Sequence, residues 1–305
     1  MTFWGRVVDG GGMRNRWAHL KLTRAWWLFS ELHGRVDLWN ATSAFRAPLR
    51  LAANRTTLEF LVPSQIHVPL DEWALLAGDA VHNARSALDA LVWGFATANG
   101  REPGTPHRVS FPVTANRTAW RSAAKALDSV PAEVLERIEA VQPWNDNLPS
   151  DHASWLEVAT RLDNDDKHRG AMVAMPVQES FDLDGMSVRL GEPTELGAFM
   201  HIFENGLDGS TTPGTPFARF SFGAVILEGS VLPETAVLPL APGMTFRGSP
   251  VATMSLQQEM LSALTGICEW VETGEEPTSA TILPESYDPD PSNFDSTPAE
   301  GTTSE

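Results

Sequence analysis

Thirty residues, Asp71 to Gly100 (DEWALLAGDAVHNARSALDALVWGFATANG), constrain this chain most tightly, because helical periodicity and concentrated polar chemistry coincide there. At about 100° per residue, Trp73, Ala77, Ala80, Ala84, Ala87, Leu88, Leu91 and Phe95 share one broad stripe, the pattern of a helix buried along that side. Nearly opposite lie Asp79, His82, Ser86 and Asp89, with Asn83 and Arg85 on the flanks. A purely solvated back would more usually carry Lys and Glu. This one carries short hydrogen-bonding side chains and a titratable imidazole. Asp71, after Pro69, is the expected N-cap and Asn99-Gly100 the expected stop.

Around this helix the pattern is that of an α+β protein: an N-terminal helical bundle with an inserted β-hairpin, then a small antiparallel sheet and a C-terminal helix. Residues 1–12, ending in three glycines, read as a flexible leader. The bundle is expected over 13–170. Its first helix carries a heptad-like seam of Ala18, Leu22, Ala25, Phe29, Leu32, Val36 and Trp39, suited to nearly antiparallel packing on another helix. The hairpin, at 47–63, turns on Ala52 to Arg55. Shorter helices follow over Thr118 to Leu127, from Pro131, and from Ser150 to a Gly170 stop, with Gln142-Pro143-Trp144 as a break. Over 171–273, β-type runs are expected at 171–177, 187–190, 199–203, 217–222, 225–227 and 251–254. A last helix is capped by Ser255 with Gln258 and ended by Gly274. Residues 274–305, rich in Pro, Ser, Thr and acids, read as an acidic disordered tail.

The net charge of −17 is uneven: nine acidic and no basic residues lie from Glu272 onward, leaving 30 acidic against 22 basic before it. That moderately acidic body speaks against strong non-specific DNA binding, though not against a local nucleic-acid site. Cys268 is the single cysteine, so neither an intramolecular disulfide nor a cysteine-based zinc site is available, and it reads as a buried filler. With no signal-peptide order and no apolar run near the roughly 20 residues of a membrane span, no membrane association and a cytoplasmic location are expected. The sequons at Asn40, Asn54 and Asn116 are then chance matches.

Two segments hold most of the candidate chemistry, GDAVHNARSALD (Gly78 to Asp89) and LDNDDKHR (Leu162 to Arg169). Together with Phe111-Pro112-Val113 and Gln142-Pro143-Trp144, they resemble a family of uncharacterised bacterial and phage-associated proteins that share a GD-x-x-HN-x-RSALD helix and a later DKHR. The likeness covers residues 17 to 175 well and implies no particular activity. A remoter similarity is to helical bundles of the HEPN superfamily, many of them ribonucleases of toxin and phage-defence systems, which place an Arg, four to six residues and then a His on one helix. There Arg stabilises phosphoryl charge and His moves the proton of the 2′-hydroxyl. In the family resembled, the residue five after the motif Arg is often His; here it is Ala90. His82 is the substitute on that helix, and Arg161 with His168 also fits the loose spacing.

Two other readings stand beside this one. Asp79 with His82, and Asp165 with His168, set a carboxylate and an imidazole at i and i+3, as di-metal bundles do with Glu-x-x-His, in which case Glu31 or Glu157 would have to complete the site. Alternatively, His82, Asn83 and Arg85 pair with Asp163, Asp166 and His168 in a charge-assisted network that locks two helices in register. Lys167, His168 and Arg169 also suit the negative end of a helix dipole. No phosphate loop, nucleophile elbow or Cys/His dyad occurs, and the cofactor stays unknown. The candidate catalytic residues are therefore His82, Arg85, Asp79, His168, Arg161 and Asp166. The candidate binding residues are Asn83, Ser86, Asp89, Lys167 and Arg169, with no metal ligand assigned. Three functions stay open: a HEPN-like RNA-directed hydrolase of phage or mobile-element conflict, a non-catalytic binding or assembly protein, and a metal-dependent bundle enzyme. RNA, a protein partner and a second copy of the chain are the candidate partners.

Overall fold

The computed structural model describes residues 15–43, 45–65, 68–145, 150–169, 172–176, 186–192, 199–202, 212–247 and 249–275. The expected leader over 1–12, the Gly170 stop and the tail beyond Glu275 lie outside the described residues.

The seam of the first helix and the stripe of the second meet. Helix α1 (Arg16–Ser43) buries Ala18, Leu22, Ala25, Leu28, Phe29, Leu32 and Val36, and α2 (Leu70–Ala96) buries Trp73, Ala77, Ala80, Val81, Ala84, Ala87, Leu88, Leu91 and Val92. They run antiparallel, since Lys21 reaches Ser86 at one end while Arg35 pairs with Glu72 and Trp39 packs edge-on against Trp73 at the other. Helix α2 begins one residue before the expected cap: Pro69 holds the N-cap position without a side-chain bond, and Asp71 and Glu72 sit in the first turn, where their charge favours the helix dipole. It ends at Ala96, three residues before the expected Asn99-Gly100 stop, and a 3-10 turn over Ala98–Gly100 holds the left-handed Asn99 (φ 61°) and Gly100 (φ 73°).

Strands β1 (Arg46–Leu51) and β2 (Thr57–Leu61) form the hairpin, with Leu49 opposite Phe60. It is the centre of a larger sheet, because strands far along the chain pair onto both of its edges. After α3 (Arg117–Ala123), α4 (Ala132–Ala140) and α5 (Ser150–Arg169) come β3 (Met172–Pro176), β4 (Phe199–Ile202), β5 (Pro216–Ser221), β6 (Thr235–Val237), β7 (Leu240–Phe246) and β8 (Ser249–Ala252). Five strands make an antiparallel sheet in the order β4-β5-β2-β1-β6, and three make a second in the order β3-β7-β8. The expected runs at 187–190 and 225–227 contribute isolated bridges, Ser187 to Val231 and Leu190 to Ile226. Strand β7 was not among the expected runs; it contains Pro242 and Gly243, residue types common in turns. Proline is tolerated at 242 because only β3 pairs there, the ladder to β8 starting at Gly243.

The chain closes with a helical turn, α6 (Thr253–Ser255), a π-helical turn (Leu256–Met260) and α7 (Leu261–Thr273). The expected Ser255–Gln258 capping box does not form, since the helix has already begun at Thr253 and Ser255 is itself helical. The π turn aims Gln257 at α1, where its amide donates to Ser30 Oγ (2.8 Å) and the Trp26 carbonyl (3.3 Å). Gly274 (φ 74°) ends α7, and a Cβ there would lie 2.9 Å from the Arg137 guanidinium, which donates to the Val271 and Glu272 carbonyls. Both helical layers and the sheets share one apolar core, from Phe29, Leu88 and Leu91 to Phe60, Phe217 and Leu264. Cys268 is buried in it, and burial pushes its thiol well up. Among the described residues no helix is long and apolar enough to cross a membrane.

Helix α7 is fastened to α1 at its far end by His19 Nε2, 3.1 Å from Glu272 Oε2. That bond, with the charges of Glu272 and Glu269 and against desolvation, raises the His19 pKa above its ordinary 6.5. A raised histidine adds stability fully present below its unfolded value and lost as pH climbs through the folded one. Wild type should therefore melt above His19→Gln at about pH 5.5 and lose most of that lead by about pH 9, read by thermal unfolding at both pH values. A lead that is constant or grows with pH would refute the assignment.

Candidate functional site

The polar face of α2 divides into three parts, each served by a different neighbour. At its middle, His82 Nδ1 lies 2.8 Å from Asp163 Oδ1 on α5. Asp163 is buried while the His82 side chain is 54% exposed, so the carboxylate anchors one ring nitrogen and leaves Nε2 facing outward. This contact brings the two polar segments together. Helix α5 also carries Asp166, Lys167, His168 and Arg169, whose side chains lie outside the described residues.

The second part is a clamp on the loop after α2. Arg85 is only 12% exposed. Its Nη1 donates to Asp89 Oδ1 and its Nη2 to the Phe111 carbonyl, both at 2.8 Å. Asp89 Oδ1 accepts in turn from the Phe111 amide (2.8 Å). Asp89 and Arg85, one turn apart on α2, thus satisfy both backbone groups of one loop residue whose ring is buried in the core. On the far side of the loop, fully buried Gln142 makes four bonds: it accepts from the Thr114 amide and hydroxyl and donates to the Pro112 and Ile138 carbonyls. Trp144 Nε1 completes the set on Thr114 Oγ1 (2.9 Å). The Arg-x-x-x-Asp, Phe-Pro-Val and Gln-Pro-Trp signals are therefore parts of a single backbone lock.

The third part is a groove where the start of α1 meets the end of α2. It has a volume of about 650 Å³ and is lined by Trp17, Lys21, Ser86, Asp89, Ala90 and Trp93, among others. Lys21 Nζ donates to Ser86 Oγ (3.0 Å), whose own hydroxyl donates to the Asn83 carbonyl (3.3 Å). The side chains of Trp17 and Trp93 are 69% and 43% exposed.

The chain stands apart in all three comparisons: no family model, no curated protein and no solved structure matches it.

The sequence candidates thus fall into different places. His82, Arg85, Ser86 and Asp89 follow one another along one face of α2 but serve α5, the loop and the groove separately. Asn83 is spent on its own helix, its amide donating to the Asp79 carbonyl (2.8 Å), and Asp79 is exposed. Arg161 is exposed, 3.9 Å from Asp165 and 5.8 Å from the Phe246 ring. The carboxylates that a metal site would need are engaged elsewhere, Glu31 with Arg35 and Glu157 with Arg247. Among the described residues no group of three or more His, Cys, Asp or Glu side chains could hold a metal ion. Missing from the sequence reading were Trp17, Lys21 and Trp93. Trp17 and Lys21 lie on α1 and Trp93 on α2, and neither helical wheel alone separates them from ordinary surface residues, because the groove needs both helices.

The lock predicts an order of costs. Gln142→Leu keeps volume but strands buried loop groups, and should cost about 2–4 kcal/mol in urea unfolding, with Arg85→Met at about 1–3 kcal/mol. Losses under about 0.5 kcal/mol for both would mean that water replaces these bonds and that the lock contributes nothing.

Proposed function

We propose that this chain is a non-catalytic binding protein whose motif residues hold the scaffold and whose ligand site is the groove between the N-terminal end of α1 and the C-terminal end of α2. One observation carries this reading. The Arg85 guanidinium, the group a phosphoryl-transfer reading would need in an open cleft, is largely buried and spent on Asp89 and the Phe111 carbonyl. A cation already satisfied by a carboxylate and a backbone oxygen has little left for a developing phosphoryl charge. The groove, by contrast, has the volume and mixed lining of a small-ligand site, mostly apolar with a few convergent polar groups.

A second reading, a HEPN-like RNA-directed hydrolase, is favoured by His82. With Nδ1 on Asp163 and its ring half-exposed, it is oriented by a buried carboxylate in the way a general base is. Helix α5 also carries Arg161 and His168, the second Arg/His spacing of the resemblance.

Incubation of purified chain with single-stranded and structured RNA separates the two. The expected outcome is no hydrolysis above buffer, and no difference between wild type and His82→Ala. Cleavage that falls by a hundredfold or more in His82→Ala, with unchanged melting temperature, would replace the binding reading with the hydrolase.

A further inference from the structure

The groove carries two charges whose bonding is incomplete. Lys21 has only the Ser86 hydroxyl as a partner and makes no ion pair among the described residues. Asp89 takes both of its bonds, from Arg85 and from the Phe111 amide, on Oδ1, leaving Oδ2 without a hydrogen bond among the described residues. Ser86, which positions the ammonium, and Asp89 are three residues apart on α2, so their Cβ atoms lie about 5–6 Å from each other. An ammonium seeking an anion and a carboxylate oxygen seeking a donor are thus anchored at α2 positions about one helical turn apart, in a groove that also presents two exposed indoles.

The geometry points to a free aromatic α-amino acid as the ligand: carboxylate on Lys21, ammonium on Asp89 Oδ2, and flat side chain against Trp17 and Trp93. Two charge-assisted bonds of about 2.8 Å, with the short carboxylate-to-ammonium head group between them, suit charges anchored at helix positions one turn apart. Indole faces and edges reward a planar ring beyond the area it buries. Charge balance selects against the alternatives. A nucleoside phosphate would bring two negative charges to a site with one cation and one anion, in a chain of net charge −17. A cationic amine could pair with Asp89 but would leave Lys21 without a counter-charge. This assignment rests on the groove being the ligand site, and it adds the ligand class.

Calorimetric titration of the full chain tests it with five probes: L-phenylalanine, L-tryptophan, L-phenylalaninamide, 3-phenylpropionate and adenosine monophosphate. The two amino acids should bind. The amide, which lacks the carboxylate, and the propionate, which lacks the ammonium, should each bind at least tenfold more weakly, and the nucleotide not at all. Lys21→Met should weaken L-phenylalanine binding about tenfold, and Trp17→Ala should weaken it measurably. The Trp17 side chain is mostly exposed, so its removal leaves the core intact, and an unchanged melting temperature confirms folding of either variant. If neither amino acid binds at millimolar concentration, or if propionate or nucleotide binds as tightly as L-phenylalanine, the zwitterion assignment is wrong. If an amino acid binds but neither variant changes its affinity, the site lies elsewhere, and the groove reading of the function falls with it.

Discussion

Close approach of α1 and α2 along faces rich in alanine is the contact from which the remaining geometry follows. Ala18 and Ala25 on one helix and Ala77, Ala80, Ala84 and Ala87 on the other are fully buried, and such small side chains let two long helices lie against each other over most of their length. Larger residues, Phe29, Leu32, Trp73, Leu88 and Leu91, share the core cluster with residues of the strands, α5 and α7. Once the two axes are fixed, the polar back of α2 is fixed as well. Its middle faces α5, one flank faces the loop that follows, and its C-terminal end, with the start of α1, encloses the groove.

Polar side chains on that back follow the rule that a buried donor or acceptor must be paired. The segment from Phe111 to Thr114 has no secondary structure of its own, yet Phe111 is buried in the core. Its backbone groups cannot bond within a helix or a ladder, so Arg85, Asp89 and Gln142 supply the partners. Leaving any of these groups unpaired out of water costs on the order of 1–3 kcal/mol, more than the net gain from a bond well made. Residues that look like an active site in one dimension are, for this reason, ones the loop requires. His82 differs in kind, since it holds Asp163 with one nitrogen and exposes the other.

The C-terminal helix shows the same economy in a different place. Its π turn displaces one residue so that Gln257 faces α1, while His33 reaches Thr253 Oγ1 at 3.0 Å beside it. Burial holds the His33 pKa down, opposite in direction to His19, whose partner Glu272 raises it. Two histidines on one helix are thus driven apart by their surroundings alone.

Local periodicity was enough to place α1, α2, α4, α7 and the hairpin, because each buries one face whose spacing is visible in a short window. Windows failed at β7, where Pro242 and Gly243 mimic a turn and only the stagger of β3 and β8 makes proline acceptable, and at Ser255, where an apparent cap is an interior residue. The union of the hairpin with strands more than 150 residues later in a single sheet was not legible either, since strand pairing leaves no periodic trace in sequence. The sequence by itself determined which faces are apolar, that α7 stops at Gly274 and which polar residue types crowd α2. Tertiary structure alone decided which of those polar groups are used up on a loop's backbone and which, with Lys21 and two tryptophans, face solvent. Hydrogen-bond satisfaction depends on what else is buried nearby, and that is a property of the assembled core rather than of any segment.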